Sequence, residues 1–416
     1  MERHLNASKN KQARFGLSPN FLIFMTVFID MTGFGMVIPL IPFYAATFNV
    51  GAFWIGVLTA AFCVMQFIFA PILGRLSDNM GRKPILLVSI LVSSLSFILF
   101  TVANSFALLL FSRIVAGIAT EGAVAQAYIV DMTNEKQRTK GLGRVSAAHG
   151  AGLIIGPAIG GALSVFGFWA VGTTAVILTA LNLLFVFFFL PESIATKQRS
   201  QKTGILDYFH ELPKNMTEMF TRPLIGLVLT VFFIQGIAHS TIPVILPLLG
   251  ASFFGFGTVE MSYMFMYIGL TEIILQGLVI AKMAQKVDDS KLIAAGTLLM
   301  TLGMLTIPLI PNFLLFIASV TMVACGIGTL LTSARSFVSK RTAANEQGNI
   351  MGITNSVSSI GTILGPLVGG FLFDFSGLIT PFLLNAAIMT VAFVLSIKVI
   401  KNNRKEMEET LQSEQR

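Results

Sequence analysis

Charged residues are scarce in this sequence of 416 residues. Asp, Glu, Lys and Arg make up 12% of it, against about 25% in an average soluble protein. Hydrophobic residues make up 54%, and the mean hydropathy is +0.80. These values exclude an ordinary soluble domain and indicate an integral membrane protein. Because a bilayer offers no water to backbone polar groups, we expect an all-α membrane protein.

Cysteines are few, and recognisable catalytic motifs are missing. Cys63 and Cys325 both fall within long apolar runs, so we predict no disulfide. The sequence contains no phosphate-binding loop, no H-E-x-x-H metal motif and no G-x-S-x-G nucleophile elbow. We therefore expect a protein that is not an enzyme and uses no cofactor or metal. We also expect no cleavable signal, because the first apolar run is too long for one.

Twelve apolar runs, each about long enough to cross a bilayer, divide the chain into two sets of six. We predict a tail at 1–19, a six-helix bundle at 20–190, a central loop at 191–222, a second six-helix bundle at 223–400 and a tail at 401–416. The predicted spans, numbered 1 to 12, are 20–44, 52–73, 84–103, 105–129, 141–165, 168–190, 223–248, 257–283, 291–310, 312–334, 349–372 and 378–400.

Lys and Arg residues fall almost entirely on one side of these spans. Of the 28 Lys and Arg residues, 27 lie in or beside the two tails, the central loop and the loops 2–3, 4–5, 8–9 and 10–11. The exception is Arg113, inside span 4. Because cytoplasmic loops of membrane proteins are rich in Lys and Arg, we expect both termini in the cytoplasm of a cell-membrane protein. The net charge of +8 would then face anionic lipid and not nucleic acid.

The two halves carry the same pattern, G-x-x-x-G-P-x-x-G-G, in spans 5 and 11 at an offset of 209 residues. This repeat predicts two pseudo-symmetric bundles. Small residues let two helices approach closely, and proline bends a helix. Simple helix packing and a shared mechanical role are both compatible with the pattern. The residues are Gly152, Gly156, Pro157, Gly160 and Gly161 in the first copy, and Gly361, Gly365, Pro366, Gly369 and Gly370 in the second.

A polar segment, Gly74–Pro84, separates spans 2 and 3. It holds three cations, one carboxylate, two glycines and a proline. We expect a tight turn at the glycines, with Asp78 paired with Arg82 or bound to helix-start N–H groups. A basic loop that merely anchors a hairpin is the alternative. The corresponding place in the second half, Ala281–Gln285, has lost the carboxylate. The candidate gating residues are Gly74, Asp78, Gly81, Arg82, Lys83 and Asp131, the last of these as a partner for Arg82 or Arg75.

Three ionisable residues in the first bundle are candidates for a functional role, because inserting each into a bilayer costs about 2.5–3.5 kcal/mol of free energy. Asp30 lies near the middle of span 1, and Arg113 and Glu121 lie in span 4. We expect Asp30 to exchange protons and Arg113 to pair with it in one conformation. Because eight residues separate Arg113 from Glu121, we expect them on similar helix faces. A structural hydrogen bond or a permanent ion pair is the alternative.

Further polar residues within the spans are candidates for a substrate cavity. A lone histidine or glutamine in a membrane helix also serves to hydrogen bond a neighbouring helix, so both readings stay open. Glu272, like Glu121, would suit a proton or a cationic substrate. The candidates are Gln66, His149, Gln235, His239 and Glu272.

The order G-x-L-x-D-x-x-G-R-K-P in Gly74–Pro84 looks like the signature loop between helices 2 and 3 of the major facilitator superfamily of secondary transporters. Four further stretches extend the resemblance over residues 20–400 to twelve-span drug:proton antiporters, and most of all to bacterial tetracycline/proton antiporters. These stretches are Asp30–Pro42, Arg113–Gly117, Gly152–Gly161 and Leu190–Ser193.

The resemblance implies two six-helix bundles, with Asp30 and Arg113 at positions of substrate or proton coupling and Asp78 and Arg82 in an inner gate. It also implies that the span-5 motif seals the halves against leak. Glu121 departs from the tetracycline exporters, in which that stretch is usually small and neutral, and indicates a cationic or broader substrate range.

We therefore expect a proton-coupled exporter of small amphipathic compounds such as tetracycline-like or other drugs, working as a monomer by alternating access. Its partners would be the substrate, protons and the lipid bilayer, and its energy source the proton gradient. The alternative within transporters is a proton symporter or facilitator that imports a nutrient. The alternative from another class is a membrane receptor that does not transport. Such a receptor would be expected to carry a folded soluble domain, and the longest loop of this sequence is too short for one.

Overall fold

The computed structural model describes residues 18–133, 135–193, 205–283, 285–309, 312–343 and 346–414. Over these ranges all regular structure is helical, which confirms the predicted all-α class. Most of the predicted N-terminal tail, residues 194–204 of the predicted central loop and the last two residues of the predicted C-terminal tail lie outside the described residues.

The helices follow the predicted spans closely. Those of the first half are α1 Pro19–Val37, α2 Ile41–Ala46, α3 Ala52–Met80, α4 Arg82–Thr101, α5 Phe106–Ile118, α6 Glu121–Met132, α7 Glu135–Ser164 and α8 Phe168–Phe189, with a 3-10 turn at Ile38–Leu40 between α1 and α2. Those of the remainder are α9 Ile205–Thr221, α10 Pro223–Phe254, α11 Thr258–Ile274, α12 Ala281–Met283, α13 Asp289–Thr306, α14 Phe313–Lys340, α15 Gln347–Ser376 and α16 Thr380–Glu414, with a π-helix at Leu275–Ile280.

Within the described ranges, ten helical segments are long and apolar enough to cross a membrane. The two predicted spans outside this set are spans 8 and 9, and both are nevertheless helical. Span 8 is the 17-residue helix α11, which passes into the π-helix. Span 9 is the 18-residue helix α13, whose first turn carries Asp289 and Lys291.

Two spans change their helical geometry near an ionisable residue. Span 4 is interrupted at Ala119 and Thr120, where ψ is 107° and 63°, and α6 begins directly afterwards at Glu121. The neighbouring Gly117 and Gly122 are weak helix formers. In span 8, Glu272 lies three residues before the π-helix. Interrupted membrane helices and π-helical turns are typical of functional sites.

The helix α9 lies within the predicted central loop, where the sequence indicated only a polar segment. Leu212 and Met219 are buried, and their spacing of seven residues places them on one face of the helix. The isolated apolar positions of a mostly polar stretch were too sparse to predict this helix.

Contacts divide the chain into two compact units. Unit 1 contains the described residues of Met1–Asn49, Ala61–Ile205 and Gly257–Met266, and unit 2 contains those of Val50–Ala60, Leu206–Phe256 and Tyr267–Arg416. The units therefore differ from the halves of the sequence repeat at two segments. The beginning of span 2 groups with the second half, and the beginning of span 8 groups with the first.

The glycine motif of span 5 builds the centre of unit 1 by close approach of α7 to α1. A Cβ atom on Gly152 would lie 2.6 Å from the Cβ of Met31, and one on Gly156 would lie 2.5 Å from the carbonyl oxygen of Thr32. Gly160 meets the backbone of Met36 in the same way. Only glycine permits this packing of backbone on backbone.

The second copy of the motif does the same in unit 2, where α15 lies against α10. A Cβ on Gly361 would lie 2.5 Å from the carbonyl oxygen of Phe233, and Gly365 and Gly369 meet Ile237 and Thr241. Each copy therefore fixes the first helix of its own half. This observation supports a packing role for most of the motif.

We predict that Gly156→Ala lowers the melting temperature of the purified protein by several degrees, because overpacking a tight contact costs about 1–3 kcal/mol. Gly143→Ala is the matched control. It lies on the same helix, and its added Cβ would meet nothing within 4 Å, so the better helix propensity of Ala should leave stability unchanged or slightly higher. Equal effects of the two changes on thermal unfolding in detergent would contradict the packing account.

Candidate functional site

Two carboxyl groups meet in the interior of unit 1. Asp30 of α1 is 4% exposed and Glu121, the first residue of α6, is 3% exposed. Their carboxyl groups lie within hydrogen-bonding reach of each other. The hydroxyl of Ser93, on α4, donates a hydrogen bond of 2.8 Å to Glu121 Oε1. Three helices thus contribute one polar side chain each to a buried cluster.

The chemistry of this acid pair follows from its geometry. Two ionised carboxylates repel each other and have no hydrogen to share, whereas a pair that holds one proton forms a hydrogen bond. Glu121 also lies at the start of α6, where free N–H groups and the helix dipole stabilise a negative charge. The arrangement suits a site that takes up and releases one proton.

Arg113 makes no ion pair with Asp30 in this structure, so the pairing that we expect in one conformation stays a prediction. It is 1% exposed, and the ion pairs of the described chain do not include it. Its Nε and Nη2 atoms have no hydrogen-bond partner in those residues. The guanidinium carbon lies 5.6 Å from the centre of the Phe100 ring, a distance that allows a cation–π contact.

The interruption of span 4 explains the difference. The expectation that Arg113 and Glu121 share a helix face assumed one continuous helix. The non-helical residues Ala119 and Thr120 end that register, so Glu121 turns to Asp30 while Arg113 remains on α5 beside Phe100.

The five candidate cavity residues divide between the two units. In unit 1, Gln66 and His149 are exposed. In unit 2, His239 and Glu272 are partly buried, and neither has a hydrogen bond or ion pair in the described structure. Gln235 differs from the others: it is 2% exposed and lies in the packing of α10, which favours the helix-packing interpretation for this residue.

The predicted gating segment is mostly helical. Helix α3 continues to Met80, so Gly74 lies within the helix, and the turn is made by Gly81 alone, at φ +107°. This positive φ is the conformation that glycine adopts without strain. Helix α4 then begins at Arg82.

Arg82 is the centre of the gating segment, and each of its three guanidinium nitrogens has its own acceptor. Nη2 lies 2.6 Å from Asp78 Oδ1, and Nε lies 2.8 Å from Asp131 Oδ2. Nη1 donates to the hydroxyl of Ser77 at 2.6 Å. Arg82 is itself buried, at 7% exposed. The fork geometry of arginine, which lysine lacks, makes this triple contact possible.

Glu192 is a member of this network that we did not predict as a site residue. Its carboxylate accepts the backbone N–H groups of Arg82 at 2.8 Å and of Lys83 at 3.2 Å, and so caps α4. The Nζ of Lys83 donates to the carbonyl oxygen of Phe187 at 2.7 Å. The signal in the sequence was the stretch Leu190–Ser193, which contributed to the resemblance but had no assigned role.

Unit 2 keeps an ion pair at the corresponding place, with the charges exchanged. Asp289 Oδ2 lies 2.7 Å from the Nζ of Lys340 and accepts a hydrogen bond of 2.8 Å from Ser336. Lys340 stands 209 residues after Asp131, at the offset of the repeat. Ala281–Gln285 itself contains no carboxylate, as we noted from the sequence, and the acid of this ion pair is Asp289, at the start of α13.

The neighbouring Asp288 extends this cluster outside the membrane spans. Burial alone would raise the pKa of Asp288, but hydrogen bonds from Ser290 and Asn403 and the charge of Arg341 lower it below its usual range. The cluster thus contains two neighbouring carboxyl groups, Asp288 and Asp289, at the start of α13.

The helices, the repeated halves and the buried charges define a multi-pass membrane transporter of the secondary-transporter class. The sequence model of the Major Facilitator Superfamily matches residues 23–287 and 270–416. The chain belongs to that superfamily.

Several relatives are resistance proteins. The chain is 33% identical over 354 residues to the tetracycline resistance protein, class E, of Escherichia coli, which covers 84% of this chain and 86% of that protein. It is 27% identical over 390 residues to multidrug resistance protein 2 of Bacillus subtilis (strain 168), which covers 91% of this chain and 94% of that protein.

Solved structures agree on the fold. The crystal structure of the human organic anion transporter MFSD10 (TETRAN) matches with a TM-score of 0.70 at 22% identity, over 91% of this chain and 98% of that one. The crystal structure of the nucleoside transporter NupG matches with a TM-score of 0.75 at 14% identity, over 92% of this chain and 100% of that one. Similarity at these low identities supports the fold alone.

We predict that Arg82→Lys lowers the maximal transport rate by about tenfold or more, which is the size expected for the loss of one charge-assisted hydrogen bond. The substrate dissociation constant should stay nearly unchanged. A lysine cannot serve Ser77, Asp78 and Asp131 together. Lys83→Arg is the control. The side chain of Lys83 donates one hydrogen bond, to the carbonyl oxygen of Phe187, and arginine can donate the same bond. Rates and affinities in membrane vesicles check this prediction, and a loss of affinity at unchanged rate would contradict a gating role.

Proposed function

We propose that this transporter exports small amphipathic compounds, such as tetracycline-like or other drugs, in exchange for protons. The observation that carries the proposal is the buried acid pair, Asp30 and Glu121, with Ser93 as a donor to Glu121 at 2.8 Å. A proton-exchanging pair in the interior of a secondary transporter provides the coupling that active export requires. The names of the relatives, tetracycline and multidrug resistance proteins, favour drugs as the exported class.

In the proposed cycle, the acid pair holds one proton in the substrate-free state. Substrate binding from the cytoplasmic side favours the loss of this proton, and a proton from outside restores it after the substrate has left. Arg113, buried on α5 without an ion pair in the described chain, supplies a fixed positive charge that stabilises the ionised pair when the helices rearrange. Glu272 of unit 2, partly exposed and without a polar partner in that part of the structure, is the proposed contact for a cationic substrate group.

The proposed location is the cell membrane, with both termini in the cytoplasm and the protein working as a monomer. The concentration of Lys and Arg on one side of the spans supports this orientation. The ten membrane-length helices of the described chain agree with a multi-pass protein.

We predict that Asp30→Asn and Glu121→Gln each abolish proton-driven export while leaving the protein folded, because either change removes the group that exchanges the proton. The measurement uses the purified protein in liposomes with an internal pH indicator. An imposed pH gradient should drive tetracycline or ethidium in the direction opposite to proton flow in the wild type, and neither variant should respond.

Two neighbouring serines of α4 provide a matched comparison. Ser93→Ala removes the hydrogen bond to Glu121 and should slow the coupled rate several-fold. Ser94→Ala, the next residue, removes only a hydrogen bond to Thr179 and should not. Wild-type coupled rates in Asp30→Asn and Glu121→Gln would refute the proposal, and proton flow in the same direction as the substrate would favour a symporter instead.

A further inference from the structure

One carboxylate outside the acid pair and the gating network joins two helices of unit 2. Asp374, near the end of α15, accepts the backbone N–H of Ala52 through Oδ1 at 2.8 Å and that of Phe53 through Oδ2 at 2.8 Å. These are the first two residues of α3.

The beginning of α3 is built to receive this carboxylate. The residue before the helix is Gly51, whose carbonyl oxygen accepts from Trp54 and Ile55. Glycine has no side chain with which to cap the first N–H groups, and a Cβ at Gly51 would lie 2.5 Å from Asp374 Oδ2. The cap that a serine or aspartate usually supplies from within the helix therefore comes from another helix.

Close packing surrounds the contact. Gly370, one turn before Asp374, lies directly against the backbone of Ala52 and Phe53, and Gly56 lies against the backbone of Pro366. Gly370 is the last residue of the span-11 motif. The first residues of span 2 are thus held on α15 by two backbone contacts and one charged cap.

The span-5 motif makes the equivalent contact in unit 1. Gly161 stands 209 residues before Gly370. A Cβ atom on Gly161 would lie 2.6 Å from the Cβ of Ser262 on α11. The hydroxyls of Ser164 and Thr258 are 2.7 Å apart beside it. The two contacts correspond in the repeat, but only the one in unit 2 contains a charge.

These contacts lie on the side of the spans that carries no Lys or Arg, which is the outer side in the proposed orientation. Each joins a span of one sequence half to a span of the other. Transport by alternating access requires such outer contacts between halves to form and to break in every cycle. The cap from Asp374 stabilises the arrangement in which the beginning of α3 lies on α15.

We propose that Asp374 is a positioning residue of the transport cycle, which holds the outer end of α3 on α15 and sets how often the outer side opens. It acts through α3 and does not contact substrate. The inference depends on neither the identity of the substrate nor the coupling ion.

The test is a distance measurement on the full-length protein in nanodiscs without substrate. Spin labels are attached to cysteines at Ala46 and Ser376, two exposed outer positions, after replacement of Cys63 and Cys325 by serine. Asp374→Ala should move the distance distribution toward the longer, open component by about threefold to tenfold in population ratio, the range expected for a lost helix cap. Asp374→Asn should have a smaller effect, because its amide retains one acceptor.

Glu260→Ala is the matched control, because the one hydrogen bond that the described structure gives the Glu260 side chain comes from the N–H of Gly257, directly before its own helix. Gly51→Ala provides a second route to the same result, since its methyl group displaces the carboxylate without removing it. Circular dichroism and elution from size exclusion report whether each variant is folded. If folded Asp374→Ala and Gly51→Ala both give the wild-type distribution, or if Glu260→Ala shifts it equally, the proposal is overturned.

Discussion

Two carboxyl groups buried side by side in an apolar helical protein can be stable only if they share a proton or gain a cation. Asp30 and Glu121 have no ion pair in the described chain, so we propose that they share a proton. Ser93 and the start of α6 supply further polar contacts. The interruption of span 4 serves this arrangement, because it places Glu121 at a helix N-terminus that faces Asp30. A continuous helix would leave the acid pair without those N–H groups.

The glycine motifs give the acid pair a rigid support. Gly152 and Gly156 bring α7 onto α1 immediately after Asp30, so the backbone that carries Asp30 packs directly on a second helix. The charged networks lie at the ends of the helices. Arg82 connects α3, α4 and α6 at one end of unit 1, and Asp374 connects α3 and α15 at the opposite end of the span, within unit 2.

Composition and hydrophobic runs were sufficient to predict the helical class and the position of the spans, because the bilayer imposes both. The burial of Asp30 and Glu121 was also predictable from their place in apolar runs. Their pairing was not, because the break at Ala119 and Thr120 contains no proline and the sequence pattern favoured one continuous helix. Glu192 and Asp374 were missed for another reason: each caps a helix distant in the sequence, and such a contact has no local signal.

The most direct test of the central claim is infrared difference spectroscopy of the purified transporter in lipid, with and without a bound drug. The acid pair predicts one protonated carboxyl band in the substrate-free protein, lost on drug binding and altered by both Asp30→Asn and Glu121→Gln. A substrate-free spectrum in which neither variant changes any protonated carboxyl band would contradict the account, because Asp30 and Glu121 would then share no proton.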